Sequence, residues 1–376
     1  MFEIENRGQK ENHRDLIRLD EEKKRIFKIF EKSDLIEVNV PSLLNASELL
    51  DLYGEDLRLR AYTTSDPVLG EQVLRPDFTL PILMYFLESG RKEAKYFCCG
   101  NIWRRQKVSS IVPSEQLQVG FEFFDKTRNE KVIRDVEAYL LVKKILKKFK
   151  VKAVTGDLQI LTSAINELNT SEYKKNALKR HIWRPERFKR LLEIFSNSRR
   201  DYQKRSIIKD FDKFSVEKAV NKSGPIFGIR TKRDIVERTE LIKKELFENP
   251  IKNTDKSFIE KVQGVNSSLL DAPKILKSVS EASKKFSLAI DNLEKRIDLL
   301  EAGKVNLKET EFMVTYGMTT LEYYDGFVFG FLGKNMRLPP IAQGGRYDRL
   351  CQSLAKNENG LGAIGSMIRL DFLHKI

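Results

Sequence analysis

The stretch LQVGFEFFD, from Leu117 to Asp125, is typical of a β-strand because it is rich in aromatic and β-branched residues. Side chains on a strand alternate between its two faces, so Gln118, Gly120 and Glu122 share one face and the apolar residues between them share the other. We predict that the apolar face belongs to the core. A polar, acceptor-rich row with a glycine in its middle suits the floor of a ligand pocket.

The segments that precede this strand extend the pattern. KYFCCGNIWRR, from Lys95 to Arg105, has the same strand composition, and the connector between the two carries Ser and Pro, so we predict an antiparallel hairpin with a long loop. LIEVNVP, from Leu35 to Pro41, predicts a further strand that ends at its proline. The apolar spacing between about Asp15 and Lys32 predicts an amphipathic helix.

Beyond the hairpin the chain becomes mainly helical. Apolar residues recur at three- and four-residue steps between Val136 and Phe149, and the Lys-rich segment from about Thr162 to Ala302 is predicted to be mostly helical. Strand signals resume only at EFMVTYG (Glu311–Gly317) and YYDGFVFGF (Tyr323–Phe331), and MIRLDFLHKI (Met367–Ile376) predicts a final helix. Strands at both ends with helices between them indicate an α+β fold, with one sheet assembled from the two ends of the sequence.

The composition is that of an ordinary globular protein with a sizeable core, since 41% of the 376 residues are hydrophobic. The formal net charge is +14, but lysines are interspersed with acidic residues as on solvated helix faces, so nucleic-acid binding is not expected. No stretch approaches the roughly 20 apolar residues of a membrane helix, and the first residues lack the apolar core of a signal peptide. We therefore expect a cytoplasmic protein that makes no membrane contact.

The cysteines and histidines predict neither a metal site nor histidine-based catalysis. Cys98 and Cys99 are adjacent and Cys351 lies far away, a spacing that suits neither a disulfide framework nor zinc. The three histidines are scattered, without metal-ligand or triad spacing. No metal and no cofactor is expected.

Six segments, in order along the chain, carry a family resemblance. They are the helix and strand ending at Pro41, LRPDFTLPI (Leu74–Ile82), NIWRRQ followed by EQLQVGFEFF (Asn101–Phe124), EYYDGFVF (Glu322–Phe329), QGGRYDRL (Gln343–Leu350) and LGAIGSMIRLDFL (Leu361–Leu373). Each segment alone is a weak signal. Together, in this order and over nearly the whole chain, they resemble the motifs of class II histidyl-tRNA synthetases.

The resemblance implies a fold like the catalytic core of class II aminoacyl-tRNA synthetases, with a mainly antiparallel sheet flanked by helices. Residues 1–160 and 305–376 would form the two parts of that core, and residues 161–304 would form a mainly helical inserted unit. Self-association as a class II-like dimer through the first motif is expected. Because the chain ends at Ile376, just after the third motif, no C-terminal anticodon-binding domain is expected.

The resemblance also implies a pocket for free histidine. Arg104 offers a planar fork for the carboxylate, and Asp77 and Glu122 are acceptors suited to the ammonium group. Tyrosine rings would pack around the imidazole, and their hydroxyls would form hydrogen bonds with its nitrogens. The implied histidine-binding residues are Asp77, Thr79, Arg104, Gln118, Glu122, Tyr323, Tyr324 and Tyr347.

Ordinary structural roles stay open for several of these residues. Arg104 and Glu122 form a structural ion pair in one alternative. Asp77 follows a proline, where an aspartate is commonly a turn former or a helix cap. Tyr323 and Tyr324 would then be cross-strand packing partners.

Departures from the synthetase pattern indicate that the chain does not activate an amino acid. Thr319 and Ile368 stand where the resemblance calls for phosphate-binding arginines, and Gln106 replaces the glutamate of the second motif. Arg369 follows Ile368, but one position along a helix is a rotation of about 100°, which makes it a poor substitute. Loss of preorganised cations at the α-phosphate should abolish the reaction, so no catalytic residue is expected.

The resemblance therefore favours the paralogues without an anticodon-binding domain, the regulatory subunits of ATP phosphoribosyltransferase. The implied partner is the short-form catalytic subunit, which the regulatory subunit activates and makes sensitive to feedback inhibition by free histidine in the first step of histidine biosynthesis. Local likeness in GDLQILTSAINEL (Gly156–Leu168) supports this interpretation. Two alternatives stay open: a divergent histidyl-type ligase, and a tRNA-binding module that uses the basic helical segment.

Overall fold

The computed structural model of the protein describes residues 13–49, 52, 55–107, 110–125, 130–197, 215–222, 224–226, 228, 230–279, 284–319, 322–335, 338–355 and 360–373. The strands within those residues are β1 (Ile36–Glu37), β2 (Leu43–Asn45), β3 (Thr63–Asp66), β4 (Gly70–Leu74), β5 (Ala94–Trp103), β6 (Glu115–Asp125), β7 (Lys152–Asp157), β8 (Asn266–Ser268), β9 (Glu311–Met313), β10 (Phe327–Leu332), β11 (Ala342–Arg346) and β12 (Gly362–Arg369). The helices are α1 (His13–Glu31), α2 (Ala46–Leu49), α3 (Glu55–Arg60), α4 (Thr79–Glu88), α5 (Lys131–Ile145), α6 (Leu158–Glu167), α7 (Glu172–Arg180), α8 (Pro185–Ser196), α9 (Val216–Lys222), α10 (Lys232–Phe247), α11 (Asn253–Gln263), α12 (Ala272–Val279), α13 (Lys284–Ala302), α14 (Asp348–Leu354) and α15 (Leu370–Leu373), with a 3-10 helix at Tyr316–Thr319.

Among these residues, one large sheet contains nine strands in the order β1-β5-β6-β12-β11-β10-β7-β9-β8. Its neighbours are antiparallel except for the parallel pairs β1 with β5 and β7 with β9. A small second sheet has the order β2-β4-β3. Strands from the beginning and the end of the chain meet in the large sheet where β6 pairs with β12. The predicted α+β fold, with a mainly antiparallel sheet flanked by helices, is confirmed.

The predicted N-terminal helix and hairpin are also confirmed. β5 and β6 pair antiparallel from Ala94 opposite Phe124 to Trp103 opposite Glu115. The apolar face of β6 is buried beneath α1, where the rings of Phe121 and Phe30 have centroids 5.7 Å apart. This packing of β6 against α1 leaves the polar row of the same strand on the opposite side of the sheet.

A buried network of charges joins the helices to the sheet. Asp135 of α5 accepts hydrogen bonds from Arg346 of β11 at 2.7 Å and from Arg296 of α13 at 2.8 Å. Arg296 also donates to Asp157 at 3.0 Å, and Arg346 donates to Asp348 at 2.8 Å. All five side chains are buried. Buried charges require partners of this kind, so the network fixes α5 and α13 relative to the strands.

Some secondary-structure predictions are wrong. β7 and β8 were not expected, because β7 has the weakly strand-forming sequence KAVTGD and β8 is a short polar edge strand. β7 forms a strand because it pairs with β10, and β8 forms a strand because it pairs with β9. The expected final helix begins too early, since Met367 to Arg369 extend β12 between β6 and β11. Residues 374–376 lie outside the described residues.

The division into residues 1–160, 161–304 and 305–376 stays a prediction. Two contacts cross its boundaries. β8, from the middle segment, pairs with β9 of the large sheet. α13, also from the middle segment, packs against α5 and donates a hydrogen bond from Arg296 to Asp157 of β7. The middle segment is therefore joined to the sheet at more than one place.

Candidate functional site

A small cavity lies on the polar face of β6, beside the N-terminal end of α4 and the loop that precedes β10. Its lining includes every side chain of the predicted set, namely Asp77, Thr79, Arg104, Gln118, Glu122, Tyr323, Tyr324 and Tyr347. Phe78, Gly120 and residues 365–367 of β12 complete the wall. The free volume is about 20 Å³, which is room for about one water molecule. The structure thus brings the predicted residues together in a closed arrangement.

Glu122 is the centre of the hydrogen bonds in this cavity. One carboxylate oxygen accepts from the Thr79 hydroxyl at 2.8 Å, and the other accepts from the Tyr347 hydroxyl at 2.6 Å. The Tyr323 hydroxyl donates to Thr79 Oγ1 at 3.2 Å. The Glu122 carboxylate therefore connects β6 with the starts of α4 and α14, and Thr79 extends the connection to the loop before β10.

Burial dominates the electrostatics of the cavity. It raises the pKa of Glu122 to about 8, an effect that the hydrogen bonds from Tyr347 and Thr79 oppose and the nearby Asp77 carboxylate reinforces. Burial likewise raises the pKa values of Tyr323, Tyr324 and Tyr347, so all three phenols are protonated hydrogen-bond donors at neutral pH. A cation that entered the cavity would favour the ionised form of Glu122.

The tyrosines form an aromatic wall. Tyr323 makes edge-on contacts with Tyr324 and Tyr347, with ring centroids 5.2 and 5.7 Å apart. Tyr323 and Tyr324 belong to a loop, so the alternative of cross-strand packing is wrong. The Tyr324 ring lies against Gly345 of β11, where a Cβ atom would come within 2.8 Å of it. The glycine therefore makes room for the tyrosine wall.

Arg104 immediately follows β5 and is held by its neighbours. Its Nε donates to the Pro76 carbonyl at 2.6 Å, and its backbone N–H donates to the Ser114 carbonyl at 2.8 Å. The described contacts of Arg104 and Glu122 join each to other residues, so the alternative of a structural ion pair between them is wrong. The N-cap position of α4 is occupied by Phe78, the residue after Asp77.

A second, larger cavity of about 1000 Å³ lies beside the first. Arg104 and Met367 line both cavities. Arg60 and Arg369 add two further guanidinium groups to the larger one. Burial, and secondarily the positive charge of Arg104, lowers the pKa of Arg369 to about 9. Clustered arginines of this kind suit an anion more than any cationic ligand.

The position of Arg369 corrects the prediction made for it. Arg369 ends strand β12, so it points to the face opposite that of Ile368, and not 100° away as on a helix. Ile368 is fully buried, whereas Arg369 lines the larger cavity and donates to the Pro340 carbonyl. The Arg369 guanidinium therefore does lie in the lining of the larger cavity. Thr319 ends the 3-10 helix, and its side chain lies outside the described part of the chain.

Three residues near the cavities are absent from the predicted site. Arg60 lies on α3 in no recognisable motif, and only the tertiary structure brings it to Gln106, whose side-chain oxygen accepts from it at 3.1 Å. Trp183 lies in the helical segment, yet its indole N–H donates to the Tyr324 carbonyl at 2.9 Å. Gly365 faces Glu122, and a strand prediction for β12 would have found it, because it shares a face with Met367 and Arg369.

Comparison with known proteins identifies the family of this chain. The family profile described as histidyl-tRNA synthetase matches residues 13–224 and 213–367. The chain belongs to the histidyl-tRNA synthetase family. As a member of that family it carries the predicted pocket residues on the motif segments from which the resemblance was drawn.

Relatives in this family include curated proteins of nearly the same length. An ATP phosphoribosyltransferase regulatory subunit from Agrobacterium fabrum is 24% identical over 350 residues, which cover 89% of this chain and 91% of the relative. A protein of the same name from Sinorhizobium fredii is 24% identical over 366 residues, which cover 92% of this chain and 94% of the relative.

Solved structures share the histidyl-tRNA synthetase fold. An ATP phosphoribosyltransferase regulatory subunit/histidyl-tRNA synthetase from Bacillus halodurans has a TM-score of 0.68 at 17% identity, with 100% of this chain and 83% of that one covered. A histidyl-tRNA synthetase from Nostoc sp. has a TM-score of 0.62 at 16% identity, with 96% and 72% covered. At these identities the likeness concerns the fold.

Two further findings concern the described residues of this family member. They contain no group of three or more His, Cys, Asp or Glu side chains placed to hold a metal ion. Within the same part of the chain, no helix combines the length and the apolar character that a membrane crossing requires.

Proposed function

We propose that the chain is a regulatory subunit of ATP phosphoribosyltransferase that binds free histidine as its effector and has no catalysis of its own. One observation carries the proposal: the side chains expected to bind histidine line one cavity, in a chain whose full-length relatives are named regulatory subunits of that enzyme. The proposal places the protein in the cytoplasm, as its sequence predicts.

The chemistry of the cavity suits an amino acid. The Arg104 guanidinium is a fork for a carboxylate, and Asp77 and Glu122 are buried acceptors for cationic nitrogen. The raised pKa of Glu122 means that the empty cavity holds a neutral carboxyl group, which a cationic ligand would convert to a carboxylate. Three tyrosines give the imidazole an aromatic wall with hydroxyl donors.

Regulation follows if histidine binds one arrangement of the assembly better than another, because only differential affinity shifts an equilibrium. The proposed partner is the short-form catalytic subunit, which this chain activates and makes sensitive to histidine. The chain is also proposed to self-associate as a class II-like dimer. Ile36 and Leu43, which lie on β1 and β2, are about half exposed at 47% and 49%, which supports a contact there.

Co-expression with a short-form catalytic subunit tests the proposal. We expect the two chains to copurify, the catalytic subunit to gain activity in the complex, and histidine to inhibit that activity. Arg104→Ala in the regulatory chain should abolish inhibition by histidine but leave activation intact. A catalytic subunit that neither associates with this chain nor responds to it would refute the proposal.

A second candidate, a histidyl-type ligase, is favoured by the arginines of the larger cavity. Arg60, Arg104 and Arg369 line a space of about 1000 Å³ next to the histidine cavity, where a nucleotide phosphate would find cationic partners. Pyrophosphate exchange in the presence of ATP and histidine distinguishes the two functions. Robust exchange that Arg369→Gln abolishes would favour the ligase over the regulatory subunit.

A further inference from the structure

The loop that carries Tyr323 and Tyr324 forms one side of the histidine cavity. The floor belongs to β6 and β12, which are paired along their lengths, and Thr79 begins helix α4. Glu322 to Tyr324 lie in neither helix nor strand. Since the closed cavity has only about 20 Å³, a ligand as large as an amino acid requires part of the lining to move. The loop carries two of the three tyrosines of the lining, so its displacement would open the aromatic wall.

The turn between α7 and α8 holds this loop on both sides of Tyr323. The Trp183 indole N–H donates to the Tyr324 carbonyl at 2.9 Å. The Arg184 guanidinium donates to both oxygens of Glu322, at 3.4 and 3.3 Å. We call these contacts of Trp183 and Arg184 the clamp. A two-pronged arginine contact restrains orientation as well as distance, so the intact clamp opposes a shift of the loop.

The clamp is rigidly joined to helix α8. The backbone N–H of Phe188 donates to the Arg184 carbonyl at 2.8 Å, which makes Arg184 continuous with the first turn of the helix. Ile182 next to the clamp is buried, and so are Phe188 and Leu192 on α8. A displacement of the loop must therefore either break the clamp or move α8.

We propose that Trp183 and Arg184 are positioning residues that hold the tyrosine wall closed, and that histidine entry loosens the clamp and so communicates occupancy to α7 and α8. The inference rests on the proposed binding of histidine. It makes the helical segment part of the response to histidine, because Trp183 and Arg184, whose hydrogen bonds resist opening of the loop, belong to that segment. Opening has a free-energy cost that lowers the apparent affinity, so a weaker clamp should tighten binding.

Tryptophan fluorescence tests the link directly. The chain has two tryptophans, so Trp103→Phe leaves Trp183 as the sole indole. We expect L-histidine to change the Trp183 emission, with the same midpoint as binding measured by calorimetry. A second measurement uses chains that retain Trp103. The emission of the wild type minus that of Trp183→Phe gives the Trp183 emission, which should show the same change with L-histidine. Calorimetric binding without any change in Trp183 emission overturns this inference alone, whereas absence of calorimetric binding overturns the proposed histidine site and this inference with it.

A double-mutant cycle isolates the ion pair of the clamp. Arg184→Gln and Glu322→Gln should each lower the Kd for histidine about three- to tenfold, and the double variant should show no further gain, because either change already breaks the pair. Arg187→Gln, at an exposed arginine on α8, is the matched control and should leave the Kd unchanged. Unchanged or weaker binding in both single variants, or fully additive effects, would overturn the inference.

Discussion

The Tyr347 hydroxyl donates a 2.6 Å hydrogen bond to the carboxylate of Glu122, although 225 positions separate the two residues in the sequence. Both side chains are buried, and Thr79 donates to the other carboxylate oxygen. The described ion pairs do not include Glu122, so in its ionised form its charge would be offset by neutral hydroxyl groups alone. Such a site favours either a bound proton or a cationic ligand.

Glu122→Gln should make the stability of the empty protein less dependent on pH. Burial raises the pKa of Glu122 from an ordinary 4.5 to about 8, so its contribution to stability is complete below about pH 4.5 and is lost as pH rises through 8. The glutamine mimics the protonated form and does not titrate. In thermal unfolding from pH 5 to 9, the Tm of the variant relative to that of the wild type should increase as pH rises. A pH-independent difference in Tm would contradict the raised pKa.

Histidine binding should release a proton from Glu122 at pH 7. The carboxyl group is protonated in the empty cavity, and a bound ammonium group lowers its pKa. Calorimetry in buffers with different ionisation enthalpies should show the release of about one more proton per bound histidine in the wild type than in Glu122→Gln. Equal proton release by both proteins would mean that the ligand does not ionise Glu122.

Two glycines of the cavity should respond differently to alanine. At Gly365 a Cβ atom would overlap the Glu122 carboxylate, whose farther oxygen would be only 2.7 Å away, so Gly365→Ala should reduce stability by about 1–3 kcal/mol and abolish histidine binding. At Gly120 the nearest atom, in the Phe78 ring, would be 3.4 Å away. Gly120→Ala should therefore fold with near-normal Tm but bind histidine more weakly. Denaturation and calorimetry on both variants check this contrast, and equal loss of stability would refute it.

Arg104→Ala should weaken histidine binding about 10- to 100-fold, because it removes the charged fork that faces the ligand carboxylate. Arg104→Lys should recover only part of the affinity, since an ammonium group makes no planar two-pronged contact. Arg105→Ala is the matched control, because that neighbouring guanidinium is exposed and lies over the Tyr62 ring, 5.4 Å from its centroid. Calorimetric titrations that give the same Kd for the Arg104 and Arg105 variants would remove Arg104 from the site.

Asp135→Ala should destabilise the fold by about 3–5 kcal/mol, because it leaves both Arg346 and Arg296 buried without their shared carboxylate. Chemical denaturation measures the change. Glu237→Ala is the control, since Glu237 forms a surface pair with Arg233 in which the side chains are 60% and 86% exposed. That variant should unfold at the same denaturant concentration as the wild type. A small effect at Asp135 would mean that the network is not essential to the sheet.

Local pattern predicted the elements whose composition is unambiguous. The side-chain pattern of β5 and β6 is that of strands, and the three- and four-residue spacing of apolar residues in α1 is that of a helix. β7 and β8 do not, because KAVTGD and NSS have little intrinsic preference for a strand and depend on their neighbours for pairing. The same limit explains Arg369, which was assigned to a helix although ladder partners on both sides make it the end of a strand.

The sequence by itself determined the fold class and the family motifs, because these follow from side-chain period and motif order, and the resemblance to the family predicted eight of the residues around the cavity. Only the tertiary structure decided that the cavity is closed, that Arg60 and Arg369 join Arg104, and that Trp183 holds the loop before β10. The physical reason is distance along the chain. Hydrogen bonds such as the one from Trp183 to Tyr324 join residues 141 positions apart, and no local pattern specifies which partner each donor will find.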